Sequence, residues 1–333
     1  MNSFPLASAN GLTSAVRQLV LITLCTFMVT AGAELANPVE HKAIAAPLVE
    51  RSLLLDGDAI GDHMVVVGER GHILVSVDAG MHWTQADVPT RATLTGVHLH
   101  DPARAWAVGH DATILRSSDG GLTWETVFSA PQEQRPLLDV WFENAEHGFA
   151  VGAYGYFLES HDGGDTWEPR SVIGDDRHLN HITGGPSKRL YITGEAGVLL
   201  RSDNGGADWQ ALPSPYDGSL FGTLPLDGKR VYVFGLRGHL YTSEDAGVSW
   251  QPVTTGTQNL ITAGIRIGGD GILFTGMGGI VLRGDAAGTG VRSLLRTDHL
   301  GISGALAAAD GTLVVFGEFG VQRITDEQLA PLR

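Results

Sequence analysis

The 333-residue sequence predicts an all-β domain built from seven copies of one four-stranded unit. Three observations carry that prediction. Glycine is abundant, at 45 residues, without collagen-like or low-complexity periodicity, as in folds made of many tight turns. A box of pattern Ser-x-Asp/Asn-x-Gly-x-x-Trp recurs as SVDAGMHW (76–83), SSDGGLTW (117–124), SHDGGDTW (160–167), SDNGGADW (202–209) and SEDAGVSW (243–250). A second element begins at Gly68, Gly109, Gly152, Gly194, Gly235, Gly276 and Gly317, at spacings of 41, 43, 42, 41, 41 and 41 residues. Within one unit, 93–128, an alternating run (Leu94, Val97, Leu99) meets the turn cluster DPAR, then AWAVG, the turn HDA, TILRS, the box and TWETV. Four short strands at this period form propeller blades rather than solenoid coils. The expected architecture is a seven-bladed β-propeller of four-stranded blades over residues 34–333.

From the N-terminus, Arg17 precedes the apolar run Leu19 to Ala31, which leads into Ala31-Gly32-Ala33. A positive residue, an apolar stretch and small residues in that order predict a secretory signal peptide over 1–33. Retention of the leader as an anchor is the alternative, although the run is short for a span. After cleavage no segment is expected to insert in a membrane. The single cysteine, Cys25, lies in the leader behind Leu24, which argues against a lipoprotein signal and leaves the mature chain without disulfides. Residues 41–52 precede the first unit without a blade of their own, and the seventh unit ends without an outer strand. Since a ring must not leave a bare sheet edge, 41–52 is expected to supply the outer strand of the last blade.

Each letter of the box has a mechanical reading. Asp78, Asp119, Asp162, Asn204 and Asp245 are expected to accept backbone N–H groups of the turn. The second glycine admits positive φ, and Trp83, Trp124, Trp167, Trp209 and Trp250 pack their rings on the blades. Five copies spread around a ring cannot form one active site, so no catalytic residue is assigned.

The turn after each leading glycine repeats in place but not in chemistry: Glu69-Arg70, His110-Asp111, Ala153-Tyr154, Glu195-Ala196, Leu236-Arg237, Met277-Gly278 and Glu318-Phe319. Charged and aromatic tips suit a recognition rim. The candidate binding residues are Glu69, Arg70, His110, Asp111, Tyr154, Glu195, Arg237, Glu318 and Phe319, with Arg70, Tyr154, Arg237 and Phe319 foremost. Ordinary exposed hairpin tips are the competing reading. A net charge of −15 argues against nucleic acid as a partner. The pairs His178/His181 and His98/His100 lack a third ligand placed by sequence, so no metal and no cofactor is expected. No phosphate-binding loop or nucleophile elbow occurs.

The box is the Asp-box, or bacterial neuraminidase repeat. The fuller pattern A-V-G-x-x-G-x-(I/L)-L-x-S-x-D-G-G-x-T-W, sevenfold behind a leader, resembles the photosystem II stability and assembly factor propellers over residues 41–333. That resemblance implies a seven-bladed scaffold in the thylakoid lumen or periplasm. It would be monomeric and would bind a membrane-protein subunit, of a reaction centre or of a resistance-nodulation-division exporter, without catalysis. Two departures stand out: the mature chain is acidic and lacks the arginine-rich patch expected of such factors, and the sixth and seventh units have lost the box. The alternative is a carbohydrate-active Asp-box enzyme. A sialidase would need three convergent arginines and usually an Arg-Ile-Pro signature, which is absent; xyloglucan-cleaving enzymes pair two rings.

Overall fold

The computed structural model describes residues 42–185, 188–268, 270–285 and 290–324. The leader expected at 1–33 lies outside them. Seven antiparallel sheets follow one another along the chain. Their first strands are Leu54–Ile60, Leu94–Leu99, Leu137–Phe142, Leu179–Gly184, Leu220–Pro225, Ile261–Ile267 and Ile302–Ala307. Each first strand contacts the next, and the seventh contacts the first, which closes a seven-bladed propeller with the first strands at its axis.

Second strands such as HMVVVG (His63–Gly68) are apolar on both faces because each blade is sandwiched between two others. Val65 and Val67 pack toward blade 2, whereas Met64 and Val66 pack toward blade 7. The buried apolar residues accordingly divide into seven clusters, one per interface between neighbouring blades. At the blade 2–3 interface Trp106 is fully buried and stacks on Phe142 with ring centroids 3.6 Å apart.

Blades 1 to 6 have four strands each, including blade 6, which has lost its box but keeps an outer strand at Val291–Leu295. Among the described residues blade 7 has three. This corrects the expectation that 41–52 forms its fourth strand. The segment instead runs outside blade 1: Ala43 N–H donates to Val88 O at 2.9 Å, and Gln85 bonds Ala46 N–H and Ile44 O at 2.9 and 3.0 Å. It then makes a short 3-10 turn at Val49–Arg51 that lies against the last strand of blade 7. Val49 enters the core shared by blades 1 and 7. The segment therefore joins the ring's ends through side-chain burial, not through a strand ladder. A strand ladder needs consecutive extended residues, and the 3-10 turn interrupts them.

Candidate functional site

The boxes behave as turn clamps. In the second box, Asp119 Oδ1 accepts Leu122 N–H at 3.1 Å and Thr123 N–H at 2.9 Å, while Ser117 Oγ accepts Gly121 N–H at 2.9 Å. Asp119 Oδ2 takes the Thr123 hydroxyl at 2.7 Å. His82, Thr166 and Ser249 donate to Asp78, Asp162 and Asp245 in the same way, at 2.7, 2.6 and 2.6 Å. The fourth and fifth box positions both have positive φ; the fourth is alanine in two boxes (Ala79, φ 60°; Ala246, φ 61°), and the fifth is always glycine. Trp124 and Trp167 are buried, and each donates its indole N–H to the box's own fifth residue, Gly121 at 2.8 Å and Gly164 at 3.1 Å. Trp83, Trp209 and Trp250 are half-buried.

The boxes also tie blades together. Gly120 O faces His63 Nε2 of blade 1 at 2.8 Å, Gly163 O accepts Trp106 Nε1 of blade 2 at 3.0 Å, and Ala246 O accepts Arg201 Nη1 of blade 4 at 2.8 Å. A carboxylate–imidazole group that the sequence reading missed lies beside the third box. His147, Glu159 and His161 hold their ligand-type atoms within 4.8 Å of one another. Arg170 supplies a counter-charge to buried Glu159. The sequence separation of 12 and 14 residues carries no recognisable ligand spacing, which is why the group was not legible there. His98 instead pairs with Asp58 at 3.3 Å, and His178 lies beside Tyr154 with ring centroids 5.1 Å apart.

The turns between second and third strands all lie at the end of the blades where the first strands begin, opposite the boxes. Each opens on its leading glycine, and its second residue is left-handed in blades 1 to 6: Arg70, Asp111, Tyr154, Ala196, Arg237 and Gly278. That backbone points five side chains of four kinds, and at Gly278 none, away from the sheet. Arg70, His110, Asp111, Tyr154, Glu195, Arg237 and Glu318 are exposed. Glu69, Glu195 and Glu318 each accept the backbone N–H that precedes a first strand, from Leu53 at 3.4 Å, His178 at 3.2 Å and Gly301 at 2.6 Å. Phe319 is covered by the Arg296 guanidinium, 3.9 Å above its ring. Arg237 borders a groove of about 410 Å³ that includes His239 and Tyr241, with the Tyr216 and His239 rings 4.1 Å apart. The exposed cations are thus spread around the face, not gathered in one patch.

The same face opens toward a cavity of about 460 Å³ on the axis, lined by residues of the first strands of all seven blades, by Phe234 and Phe316 from second strands and by Met277 from a tip. Every first strand has a register shift after its first residue, and the extra residue there lines the cavity in blades 1 to 7 as Leu55, Thr95, Leu138, Asn180, Phe221, Thr262 and Ser303. Three titratable groups share the cavity, all on blades 1, 3 and 4: Asp56, Asp139 and His181. Asp56 accepts Val97 N–H at 2.8 Å and Asp139 accepts Ile182 N–H at 2.9 Å, each from the following blade. His181 Nδ1 lies 2.6 Å from Asp139 Oδ2. Burial, then the charge of Asp139, pushes the Asp56 carboxyl up to about 7 against the pull of the Val97 and Gly57 N–H groups. Burial presses His181 down, but the charge and hydrogen bond of Asp139, aided by Asp56 and the Thr223 carbonyl, lift it above its usual value.

Comparison with known proteins places this geometry. The profile of the family described as Photosynthesis system II assembly factor YCF48 matches residues 75–136 and 127–272. The photosystem II assembly protein Ycf48 of Synechococcus sp. (strain JA-3-3Ab) is 37% identical over 135 residues, 39% of this chain and 40% of that protein. The chloroplastic photosystem II stability/assembly factor HCF136 of Cyanidioschyzon merolae (strain NIES-3377 / 10D) is 30% identical over 102 residues, 29% of this chain and 23% of that one. The chain therefore spans less than half the length of these curated relatives in what it matches. Among solved structures, YCF48 bound to D1 peptide superposes with a TM-score of 0.68 at 14% identity, over 83% of this chain and 94% of that one. The GH74 xyloglucanase of Xanthomonas campestris superposes with a TM-score of 0.57 at 18% identity, over 77% and 49%. Those two likenesses show the fold alone. The profile match, which spans well over half of the chain, shows more: the chain belongs to the photosystem II assembly factor YCF48 family.

Proposed function

We propose that this protein is a non-catalytic scaffold that captures a segment of a membrane-protein subunit on its tip face, on the periplasmic or lumenal side of a membrane. The observation that carries the reading is the arrangement of that face. Left-handed tips present Arg70, Asp111, Tyr154 and Arg237 outward around the mouth of the axial cavity, on a backbone whose geometry is the same in blades 1 to 6. A rigid repeated frame with variable tips is a means of recognition without moving parts. The family supports an assembly role, and a solved relative is described as bound to a D1 peptide. A reaction-centre subunit and an exporter subunit are the two partner types the reading admits. No described helix is long and apolar enough to cross a membrane, in keeping with a scaffold that meets its partner at the membrane face.

The test is crosslinked capture from membranes with the intact protein. Replacing Arg70, Tyr154 and Arg237 together by Ser should abolish capture while the melting profile stays that of the parent. Exchange of three exposed box residues on the opposite face, Leu122, Asp165 and Val248, should leave capture intact. Equal capture by both variants would overturn the assignment of the tip face.

A further inference from the structure

The charged inventory of the axial cavity is one-sided, with two carboxylates, Asp56 and Asp139, against one imidazole, His181. Thr95 and Thr262 direct their hydroxyl hydrogens to the next blade, onto Leu137 O and Ile302 O at 2.7 Å each, and Asn180 directs its amide hydrogen onto Leu220 O at 2.9 Å. These bonds hold the blades and leave the oxygen lone pairs of Thr95, Thr262 and Asn180 for the channel, beside the hydroxyls of Thr223 and Ser303 and the second amide hydrogen of Asn180. The nitrogens of His181 are engaged by Asp139 and by the Thr223 carbonyl, so its charge answers that of Asp139. Among the described residues no lysine or arginine lines the cavity. What remains is Asp56, a half-buried carboxylate on the channel wall that accepts Val97 N–H, while the His181 imidazole pairs with Asp139. Two carboxylates share one imidazole there, and the excess negative charge is costly in an enclosed site unless it is neutralised by a proton or a bound cation. Much of the rest of the wall is carbon, including Phe221, Phe316 and Met277, which suits an aliphatic chain better than a hydrated inorganic ion.

We propose that the axial channel is a binding site for a primary ammonium group on an aliphatic chain, with Asp56 as its counter-ion. The group can belong to a free amine or to a lysine side chain of a bound polypeptide. The ammonium offers three donors to the Asp56 carboxylate and to the oxygens of Thr95, Thr262 and Asn180, and its carbon chain meets the apolar part of the channel. The site is separate from the tips and does not depend on which subunit they engage. Because protonated Asp56 cannot pair with the cation, binding releases a proton wherever Asp56 is protonated beforehand. Asp139 and His181 share the channel with Asp56, and Asp58, outside the channel lining and paired with His98, adds its charge to the same site.

Calorimetric titration of the whole protein with n-pentylammonium tests this, with n-pentanol as the uncharged control. Acetyl-Gly-Lys-Gly-amide and its norleucine counterpart form the polypeptide arm. The expected Kd for at least one cation is about 0.1–1 mM, falling about tenfold between pH 6 and pH 8. Asp56→Asn, which can still accept Val97 N–H, should weaken binding about tenfold or more. Ser303→Lys places a tethered ammonium in the channel and should abolish pentylammonium binding while raising Tm. Binding of pentylammonium alone assigns the site to free amines, and binding of the lysine peptide alone assigns it to polypeptide side chains. Failure of both cations to bind at about 10 mM would overturn the proposal. So would pentanol binding as tightly as pentylammonium, or Ser303→Lys leaving pentylammonium affinity unchanged.

Discussion

Replacing Asn204 by Asp would restore the box consensus, yet the structure predicts that it destabilises the protein. Four boxes carry Asp at this position and a donor four residues later: His82, Thr123, Thr166 or Ser249. The fourth box has Asp208 in the donor's place. Asn204 Oδ1 still accepts the Asp208 N–H at 3.0 Å, but Asn204 Nδ2 now donates to Asp208 Oδ2 at 2.9 Å. Asn204→Asp removes that bond, which is exposed and contributes about 0.5–1 kcal/mol. It also sets two carboxylates about 4 Å apart, a repulsion near 1 kcal/mol at the dielectric constant of water. The sum is about 1.5–2 kcal/mol at neutral pH. The sign with pH is fixed by the same pair: repulsion lifts a folded-state carboxyl above its unfolded value, so the penalty is present at pH above both values and disappears below both. Asp208→Thr supplies a hydroxyl donor, so the double variant Asn204→Asp/Asp208→Thr should recover most of the loss. Urea denaturation of parent, single and double variants at pH 7 and pH 4 closes the cycle. Additive effects of the two substitutions, or a penalty as large in acid as at neutrality, would refute the reasoning.

Three other predictions follow from packing and titration. Gly205 and Gly206 both have positive φ, but a Cβ at Gly205 meets nothing nearer than 3.4 Å, whereas one at Gly206 would lie 2.3 Å from Phe149 Cζ. Gly205→Ala should therefore cost about 1 kcal/mol and Gly206→Ala about 3 kcal/mol, read from urea midpoints. Val49→Ala should lower stability by about 1–2 kcal/mol, and Gly320→Ala should cost more, since its Cβ would fall 1.9 Å from Glu50 O at a φ of +89°; deleting 42–52 should remove the clash and leave only the backbone strain of the Gly320 substitution. Asp245 is lowered to about 2, first by the Ser249 hydroxyl and then by the Ser249 N–H, from an ordinary 3.8. Its contribution is complete above that ordinary value and is lost as pH falls toward 2, so Ser249→Ala should raise the Asp245 carboxyl in an NMR titration and move acid unfolding to higher pH.

The number and strand content of the blades were legible because periodicity registers every copy of a unit at once. Box chemistry was legible for the same reason, down to the Asp and Ser that clamp the turn. Closure was not: a bare edge and a spare segment suggested a strand, but whether 41–52 pairs or merely packs depends on the 3-10 turn at Val49–Arg51 and on contacts across more than 250 residues. The role of Asn204 was hidden because its partner was judged by the box pattern, where the seventh letter is unspecified. The tips were legible as positions. Their division into carboxylates that bond the backbone (Glu69, Glu195, Glu318) and side chains that point outward (Arg70, Tyr154, Arg237) required φ values and distances. The axial group of Asp56, Asp139 and His181 was invisible, since it forms only when strands 83 and 42 residues apart are brought around a ring.

The side-chain bonds at the axis make each blade specific to its neighbour. Asp56 suits a blade that presents Val97 N–H, Thr95 one that presents Leu137 O, and Asp139 one that presents Ile182 N–H. Seven units with almost the same outline are therefore not interchangeable parts. A circular permutant opened in a connection between blades keeps every one of these pairings, whereas a chain with two blades transposed loses several while conserving composition, length and strand count. The order of the blades is encoded where they meet, in residues that a comparison of one repeat with another would dismiss as variable.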